Sequence, residues 1–72
     1  MSLTKEIKIT TEYIELQQLL KKVDIISSGG EAKIFLSENE VLVDRVIDSR
    51  RGRKLYPGTR VKINEVEYHI VK

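Results

Sequence analysis

Hydrophobic residues recur with two different spacings in the first part of the chain. Ile7 and Ile9 alternate with polar neighbours, which is the period-two pattern of a half-buried β-strand. Four apolar residues then follow at the i, i+3, i+4 and i+7 spacing of an amphipathic helix: Leu16, Leu19, Leu20 and Val23. The start of this helix stays open: Thr10 and Thr11 are both candidate caps, and Tyr13 and Ile14 fit either the end of a strand or the first turn.

A second helix is predicted to begin at Ser28. Ser28 is followed three residues later by Glu31, which is the capping-box pattern that satisfies free amides at a helix start. The apolar residues Ala32, Phe35 and Leu36 then continue at helical spacing, and the pattern ends near residues 37–39. We therefore expect two short helices, with Phe35 in the core.

Alternation with a period of two returns in the second half of the chain. Two short apolar runs flank Asp44 and Arg45, which predicts a hairpin, although Arg45 takes a turn position that favours glycine. Pro57 and Gly58 have the order typical of a type II turn. Two last strands are predicted around a turn at Asn64 and Glu65, with apolar positions at Val61, Ile63, Tyr68 and Ile70. The expected fold class is α+β, one domain over residues 1–72 with two short packed helices against a small, mainly antiparallel sheet.

Length and composition narrow the class of protein. The chain has 72 residues and no cysteine, so disulfides and thiolate metal sites are excluded. No apolar run approaches the roughly 20 residues of a membrane-spanning helix, and residues 1–11 show no signal-peptide pattern. A core this small leaves little room for a deep catalytic cleft. We expect a cytoplasmic monomer that binds through its surface, without a membrane partner, a small-molecule substrate or a cofactor.

Positive charge is concentrated in one stretch, the basic segment, whose four charged residues are Arg50, Arg51, Arg53 and Lys54 around Gly52. The formal net charge is +2, so the rest of the chain sums to 2 − 4 = −2. Such a local patch is suited to a phosphate backbone, and nucleic acid is the leading partner hypothesis. Two alternatives remain open: a solvated loop, or pairing of the same cations with nearby carboxylates, which are Glu38, Glu40, Asp44 and Asp48.

The predicted start of the second helix is a second candidate for anion binding. Amides in the first turn have no intrahelical acceptor, and Gly29 and Gly30 leave them uncovered. Lys33 lies one turn later on the same helical face, so three donors could converge on a phosphate. The alternative is that the glycines only permit a tight turn and that Glu31 occupies the cap by itself.

Catalytic and stacking residues are sparse. His69 is the only histidine, and its place in a terminal strand predicts an exposed or edge residue rather than a general base. The acidic residues fit no calcium loop, so no metal site is expected. Tyr56, beside the basic segment, is the one plausible platform for a base, while Tyr68 is expected to point inward. The chain is therefore predicted not to be an enzyme.

The chain resembles a known RNA-binding family over most of its length. The resemblance is carried by Leu16, Leu19, Leu20, Lys21, Ser28, Glu31, Ala32, Lys33, Val41, Val43, Asp44, Gly58 and Val61. They are similar to the RNA-binding domain named after ribosomal protein S-four, the alpha-L motif. Residues 28–33 together with 50–55 further resemble its stand-alone bacterial subfamily, the YaaA-like proteins. The resemblance implies binding of structured RNA, often ribosomal RNA, by the second helix with its preceding loop and by the basic segment.

Three positions depart from the pattern of that family. Many members begin the first helix with Arg-Leu-Asp, whereas Glu15 and Gln17 flank Leu16 here, so that arginine contact cannot be carried over. Gly29 stands where many members have Arg or Lys. The hairpin tip, often Asn-Gly, contains Arg45, which could place a further cation on the binding face.

The sequence therefore predicts a non-catalytic module that recognises structured RNA, with ribosomal RNA or a ribosome assembly intermediate as the target implied by resemblance. The predicted contact residues are Ser28, Gly29, Gly30, Lys33, Arg45, Arg50, Arg51, Arg53 and Lys54. Recognition of backbone shape is favoured over base sequence, because an A-form helix hides its base edges in a deep groove. The alternative is a protein-interaction adaptor that docks the same basic segment on an acidic partner. DNA binding is less favoured because no helix carries a row of base-reading side chains.

Overall fold

The computed structural model describes residues 3–72, which form seven short strands and two helices. The helices are α1 (Leu16–Lys22) and α2 (Gly29–Glu38). The strands are β1 (Leu3–Lys8), β2 (Ile14–Glu15), β3 (Val41–Val43), β4 (Val46–Ile47), β5 (Lys54–Leu55), β6 (Arg60–Ile63) and β7 (Val66–Val71). Residues 1 and 2, part of the stretch examined for a signal peptide, lie outside this range. No helix in the described range has the length and apolar character to cross a bilayer.

Five of the strands form one sheet in the order β1-β7-β6-β3-β4. Only β1 and β7 run parallel, and the other neighbouring pairs of this sheet are antiparallel. The expected α+β class, with two helices and a mainly antiparallel sheet, is confirmed. β2 and β5 form a separate antiparallel pair that the sequence did not predict.

The core lies between the inner face of the five-stranded sheet and the two helices. Val43, Val61 and Tyr68 are aligned across β3, β6 and β7, and all three are buried. From the helices, Leu16, Leu19, Leu20, Ala32 and Leu36 join the same core. Phe35, expected inside it, is half-buried and packs at its margin.

All three predicted turns of the second half are present, and the one at Asn64 and Glu65 joins β6 to β7 with a φ of 56° at Asn64. Asp44 and Arg45 take φ values of 50° and 72°, and Val43 pairs with Val46 across them, as in a two-residue hairpin of the primed type. Gly58 has a φ of 98°, and the amide of Thr59 donates to the carbonyl of Tyr56 at 2.9 Å. This is the predicted type II turn.

The start of α1, which the sequence left open, uses neither threonine as a cap, and Ile14 lies in a strand, as one of the alternatives had it. Its N-cap is Glu15, not Thr10 or Thr11, and the Glu15 amide donates to Oε1 of Gln18 at 2.7 Å. His69 also differs from expectation, because it is half-buried on β7, an interior strand, in register with Arg60 on one side and Glu6 on the other.

Candidate functional site

The backbone of the basic segment is fastened to the beginning of α1. The Leu16 amide donates to the Arg53 carbonyl at 2.9 Å, and the Gln17 amide donates to the Arg51 carbonyl at 3.0 Å. These amides belong to the first turn of the helix and have no partner within it, so the basic segment supplies their acceptors. Each such bond contributes about 1 kcal/mol. The basic segment is therefore held in place before any ligand arrives.

Gln17 also borders the first turn of α2. Its Oε1 atom lies 3.4 Å from the position that a Cβ atom on Gly29 would take. Its Nε2 atom donates to Oε1 of Glu15 at 2.6 Å, which orients the side-chain amide. The main chain of Gln17 thus holds Arg51 while its side chain borders Gly29, and the two predicted binding elements are neighbours.

The first turn of α2 starts at Gly29, with Ser28 as N-cap in extended conformation. Ser28 makes no side-chain capping bond in the described part of the chain, so the predicted capping box is wrong in detail. Glu31 instead accepts hydrogen bonds from the hydroxyl and amide of Ser27, one residue upstream. Within residues 3–72, no acceptor takes the amide hydrogens of Gly29 or Gly30. The carboxylate of Glu31 therefore sits at this terminus without occupying those two amides.

Two of the basic side chains are paired with one carboxylate. Asp48 accepts bonds from Nε and Nη2 of Arg50 at 3.0 and 2.8 Å, and from Nη1 of Arg53 at 3.2 Å. The Asp48 side chain is only 9% exposed, while that of Arg50 is 68% exposed. The pairing of cations with nearby carboxylates, left open by the sequence, holds for these two arginines with Asp48. Most of the Arg50 side chain still faces solvent.

These contacts perturb the protonation of Asp48. Hydrogen bonds from the Arg50 side chain lower the pKa of Asp48 to about 2. Partial burial acts in the opposite direction, while the Arg50 amide and the charges of Arg50 and Arg53 lower the pKa further. Asp48 is therefore ionised at any physiological pH. Its carboxylate orders the basic segment and offsets one of the four positive charges of that segment.

The remaining predicted cations occupy different positions. Arg51 is exposed, and no carboxylate of residues 3–72 lies within 4.0 Å of its guanidinium. Lys33 is exposed on α2, one turn after Gly29. Arg45 is exposed at the hairpin tip, where it lines a groove with Arg60, Lys62 and Glu67 on the outer face of the sheet. The structure thus places Arg45 in a different groove from Arg50 and Arg53.

The contact between Tyr13 and Tyr56 was not predicted from the sequence. In the β2–β5 pair, Ile14 faces Leu55 and Glu15 faces Lys54, so Tyr13 and Tyr56 occupy the next opposed positions. Their ring centroids are 5.6 Å apart, and Nζ of Lys54 lies 5.0 Å from the centroid of Tyr13. Two-residue strands are too short to produce a detectable alternation, so the sequence carries no signal for this contact.

Comparisons with known proteins agree with this architecture. A family model described as "S4 domain" matches residues 7–71. The "Probable ribosome maturation protein RlbA" of Bacillus subtilis (strain 168) is 61% identical over 57 residues, which cover 79% of this chain and 80% of that protein. The "Putative RNA-binding protein YbcJ" of Escherichia coli (strain K12) is 37% identical over 49 residues, covering 68% of this chain and 70% of that protein.

Proposed function

The chain belongs to the S4 domain family, and from this membership and the surface around Gln17 we propose that it binds structured RNA without catalysing a reaction. The proposed target is ribosomal RNA or an assembling ribosomal particle, in the cytoplasm. Support for the target comes from the relative whose name refers to ribosome maturation, and support for RNA from the relative named as an RNA-binding protein.

One observation carries the proposal. Gln17 contacts the backbone of Arg51 and borders Gly29, so the exposed cations of the basic segment and the free amides of α2 lie side by side. Adjacent phosphates of one RNA strand can then be met by Arg51 and Lys54 on one side and by Gly29, Gly30 and Lys33 on the other. Charge-assisted bonds of this kind are about twice as strong as neutral ones.

The order of the basic segment in the free protein also supports this surface as the RNA-binding site. Asp48 restrains Arg50 and Arg53, and the carbonyls of Arg51 and Arg53 are bound to α1. Because these groups are held before binding, less conformational entropy is lost when RNA arrives. Recognition of backbone shape follows, because the surface offers phosphate donors rather than a row of base-reading side chains.

The test is a charge-matched comparison of two double variants. Lys33→Gln with Arg51→Gln removes one cation from each side of Gln17, whereas Lys5→Gln with Lys8→Gln removes two exposed cations from β1, at the opposite edge of the sheet from β4. Affinity for a fluorescent RNA hairpin is measured by anisotropy at fixed salt, and co-sedimentation with bacterial ribosomal subunits is measured in parallel. We expect the first variant to lose at least about tenfold in affinity and the control to lose less than about twofold.

The adaptor hypothesis gives a different result. If the basic segment docks on a protein, the unmodified chain should bind the RNA hairpin weakly. The chain should then still co-sediment with ribosomal subunits after ribonuclease has digested the exposed RNA. Equal losses in the two double variants would contradict the proposed site.

A further inference from the structure

The β2–β5 pair carries a second recognition element beside the phosphate-binding surface. Alternation along these strands directs Leu55 into the core and leaves Ile14 half-buried against it. Tyr13, Glu15, Lys54 and Tyr56 therefore share the opposite face, since their positions alternate with those two. Tyr56 is 46% exposed, so part of its ring is accessible to a ligand on this face.

The Tyr56 ring is in contact with a neighbouring side chain on one side. It packs on Tyr13 at an interplanar angle of 49°, and the centroid separation of 5.6 Å is within the range of interacting aromatic pairs. Lys54 covers the Tyr13 ring, so the pair is supported from that side by a cation–π contact. The Tyr56 amide also donates to Oγ1 of Thr59 at 3.2 Å, at the start of the type II turn. A pre-positioned ring of this kind stacks a base with little further loss of entropy.

The charges on the two sides of the tyrosine pair are opposite. The Tyr56 side opens into a groove lined by Arg50, Arg53, Lys54, Thr59 and Asp44. The Tyr13 side opens into another groove, where Glu12 and Glu15 outnumber one cation, Lys21. A nucleotide carries a flat base and an anionic phosphate, so its phosphate is favoured on the Tyr56 side over the Tyr13 side.

Within the groove, the single carboxylate fixes the direction of the ligand. Asp44 lies on the hairpin, and its Oδ1 atom accepts the amide hydrogen of Arg60 at 3.0 Å. Phosphate is disfavoured near Asp44 and favoured near Arg50 and Arg53, so the base occupies the space over Tyr56 and Thr59.

We propose that Tyr56, backed by Tyr13 and Lys54, stacks one unpaired base of a structured RNA whose neighbouring phosphates lie on the basic segment. The ligand class is a duplex with a bulged or junction nucleotide, and this inference rests on the proposed function. Tyr56 is then a specificity-determining residue. It favours RNA with an extruded base over fully paired RNA, whereas the cations of the basic segment bind both. One platform accommodates one base, which distinguishes this surface from the multiple stacking positions of single-strand binders.

The experiment compares two RNA hairpins that differ only in one bulged nucleotide, at the same salt concentration. The unmodified chain is expected to bind the bulged hairpin about 5- to 150-fold more tightly, the range that one base–aromatic stack supplies. Tyr56→Ala is expected to abolish the preference while leaving affinity for the paired hairpin unchanged. Tyr56→Phe is expected to retain it. Tyr56→Leu keeps apolar contact with Tyr13 but lacks a π face, and it is expected to behave like the alanine variant.

A photocrosslink supplies a direct readout. With 5-iodouridine at the bulge, ultraviolet irradiation should join the base to Tyr56, identified by mass spectrometry, while the same nucleotide within the stem should not. Equal affinity for the two hairpins, or a preference that survives in Tyr56→Ala, would overturn the stacking role and leave the proposed RNA binding intact. Absence of binding to both hairpins would overturn the proposed function itself.

Discussion

Asp48 orders two of the four cations in the basic segment. It lies just after β4, its amide donates to the Val41 carbonyl at 2.9 Å, and its carboxylate is bound by Arg50 and Arg53. Because the bonds from Arg50 lower the pKa of Asp48 from 3.8 to about 2, the folded state binds a proton less readily than the unfolded state. The stabilisation is therefore complete above pH 4 and is lost as the pH falls through about 2.

Replacing Asp48 by Asn should lower the free energy of unfolding by about 1–2 kcal/mol at neutral pH, since solvent around Arg50 screens part of the interaction. Urea denaturation of both proteins between pH 7 and pH 2 measures the effect, and the difference should shrink as the pH falls below about 4. Glu6→Gln, which removes an exposed carboxylate on β1, is the control. A difference for Asp48→Asn that stays constant down to pH 2 would refute the role of the ionised carboxylate.

At the level of secondary structure, the two helix starts differ in what occupies their amides. The first amides of α1 are bound by carbonyls of the basic segment, whereas Gly29 and Gly30 at the start of α2 keep theirs free within the described residues. The start of α1 therefore has no open donor for phosphate in its first two residues, and α2 has two. This difference is the reason why the phosphate contacts that we propose involve amides of the second helix rather than the first.

Replacing Gly30 by Ala should weaken RNA binding without lowering the stability of the fold. The added Cβ would lie 4.0 Å from Oγ of Ser28, an ordinary contact, so the fold accommodates it. Alanine favours helix over glycine by up to about 1 kcal/mol, so the variant should be as stable as the original or more so. The methyl group would nevertheless stand between a phosphate and the amides, and RNA affinity should fall several-fold in anisotropy measurements.

Ser37→Ala, at the other end of α2, is the matched control, because it changes the same helix far from the glycines. It should leave RNA affinity unchanged. Unaltered affinity in Gly30→Ala would show that no phosphate approaches the start of α2, and would confine the proposed contacts to the basic segment.

The sequence predicted those elements whose signals are local. α1, α2 and the hairpin at Asp44 repeat an apolar spacing over several residues, or carry turn chemistry at adjacent positions, and all three are present. The start of α1 stayed open in the sequence because its amides are bound by carbonyls of Arg51 and Arg53, which lie far along the chain. β2 and β5 were not predicted for a related reason. Each strand has only two residues and forms by pairing with the other.

The same division between local and distant signals applies to the site. The cations of the basic segment and the glycines of α2 are visible as composition, but their adjacency depends on Gln17, an ordinary polar residue in sequence. The pairing of Arg50 and Arg53 with Asp48 was only one of several open possibilities. The displacement of Arg45 into another groove follows from the direction in which the hairpin extends from β3, which alternation alone does not fix.

Across the whole molecule, charge is distributed unevenly between the ends of the sheet. β1, at one end, carries Lys5, Glu6 and Lys8 in alternation of sign, and the basic segment follows β4 at the other end. The parallel pairing of β1 with β7 joins residues about sixty positions apart, such as Leu3 with Val66. This pairing holds β1 at the edge of the sheet opposite β4, away from the surface that we propose for RNA.

The number of phosphates bound sets the salt dependence of the affinity. The basic segment has four positive charges, Asp48 offsets one of them, and Lys33 adds one. This surface is suited to about four phosphates, so a plot of log affinity against log salt concentration should have a slope near −3 to −4. Arg51→Gln should reduce the slope by about one unit, and Asp48→Asn, which removes the competing carboxylate, should steepen it by a similar amount provided that the loop stays ordered. Lys8→Gln on β1 should leave it unchanged. Anisotropy titrations at several salt concentrations give these slopes. A contact between a cation and a phosphate always releases counterions, so a slope near zero in the unmodified chain would show that such contacts do not drive binding.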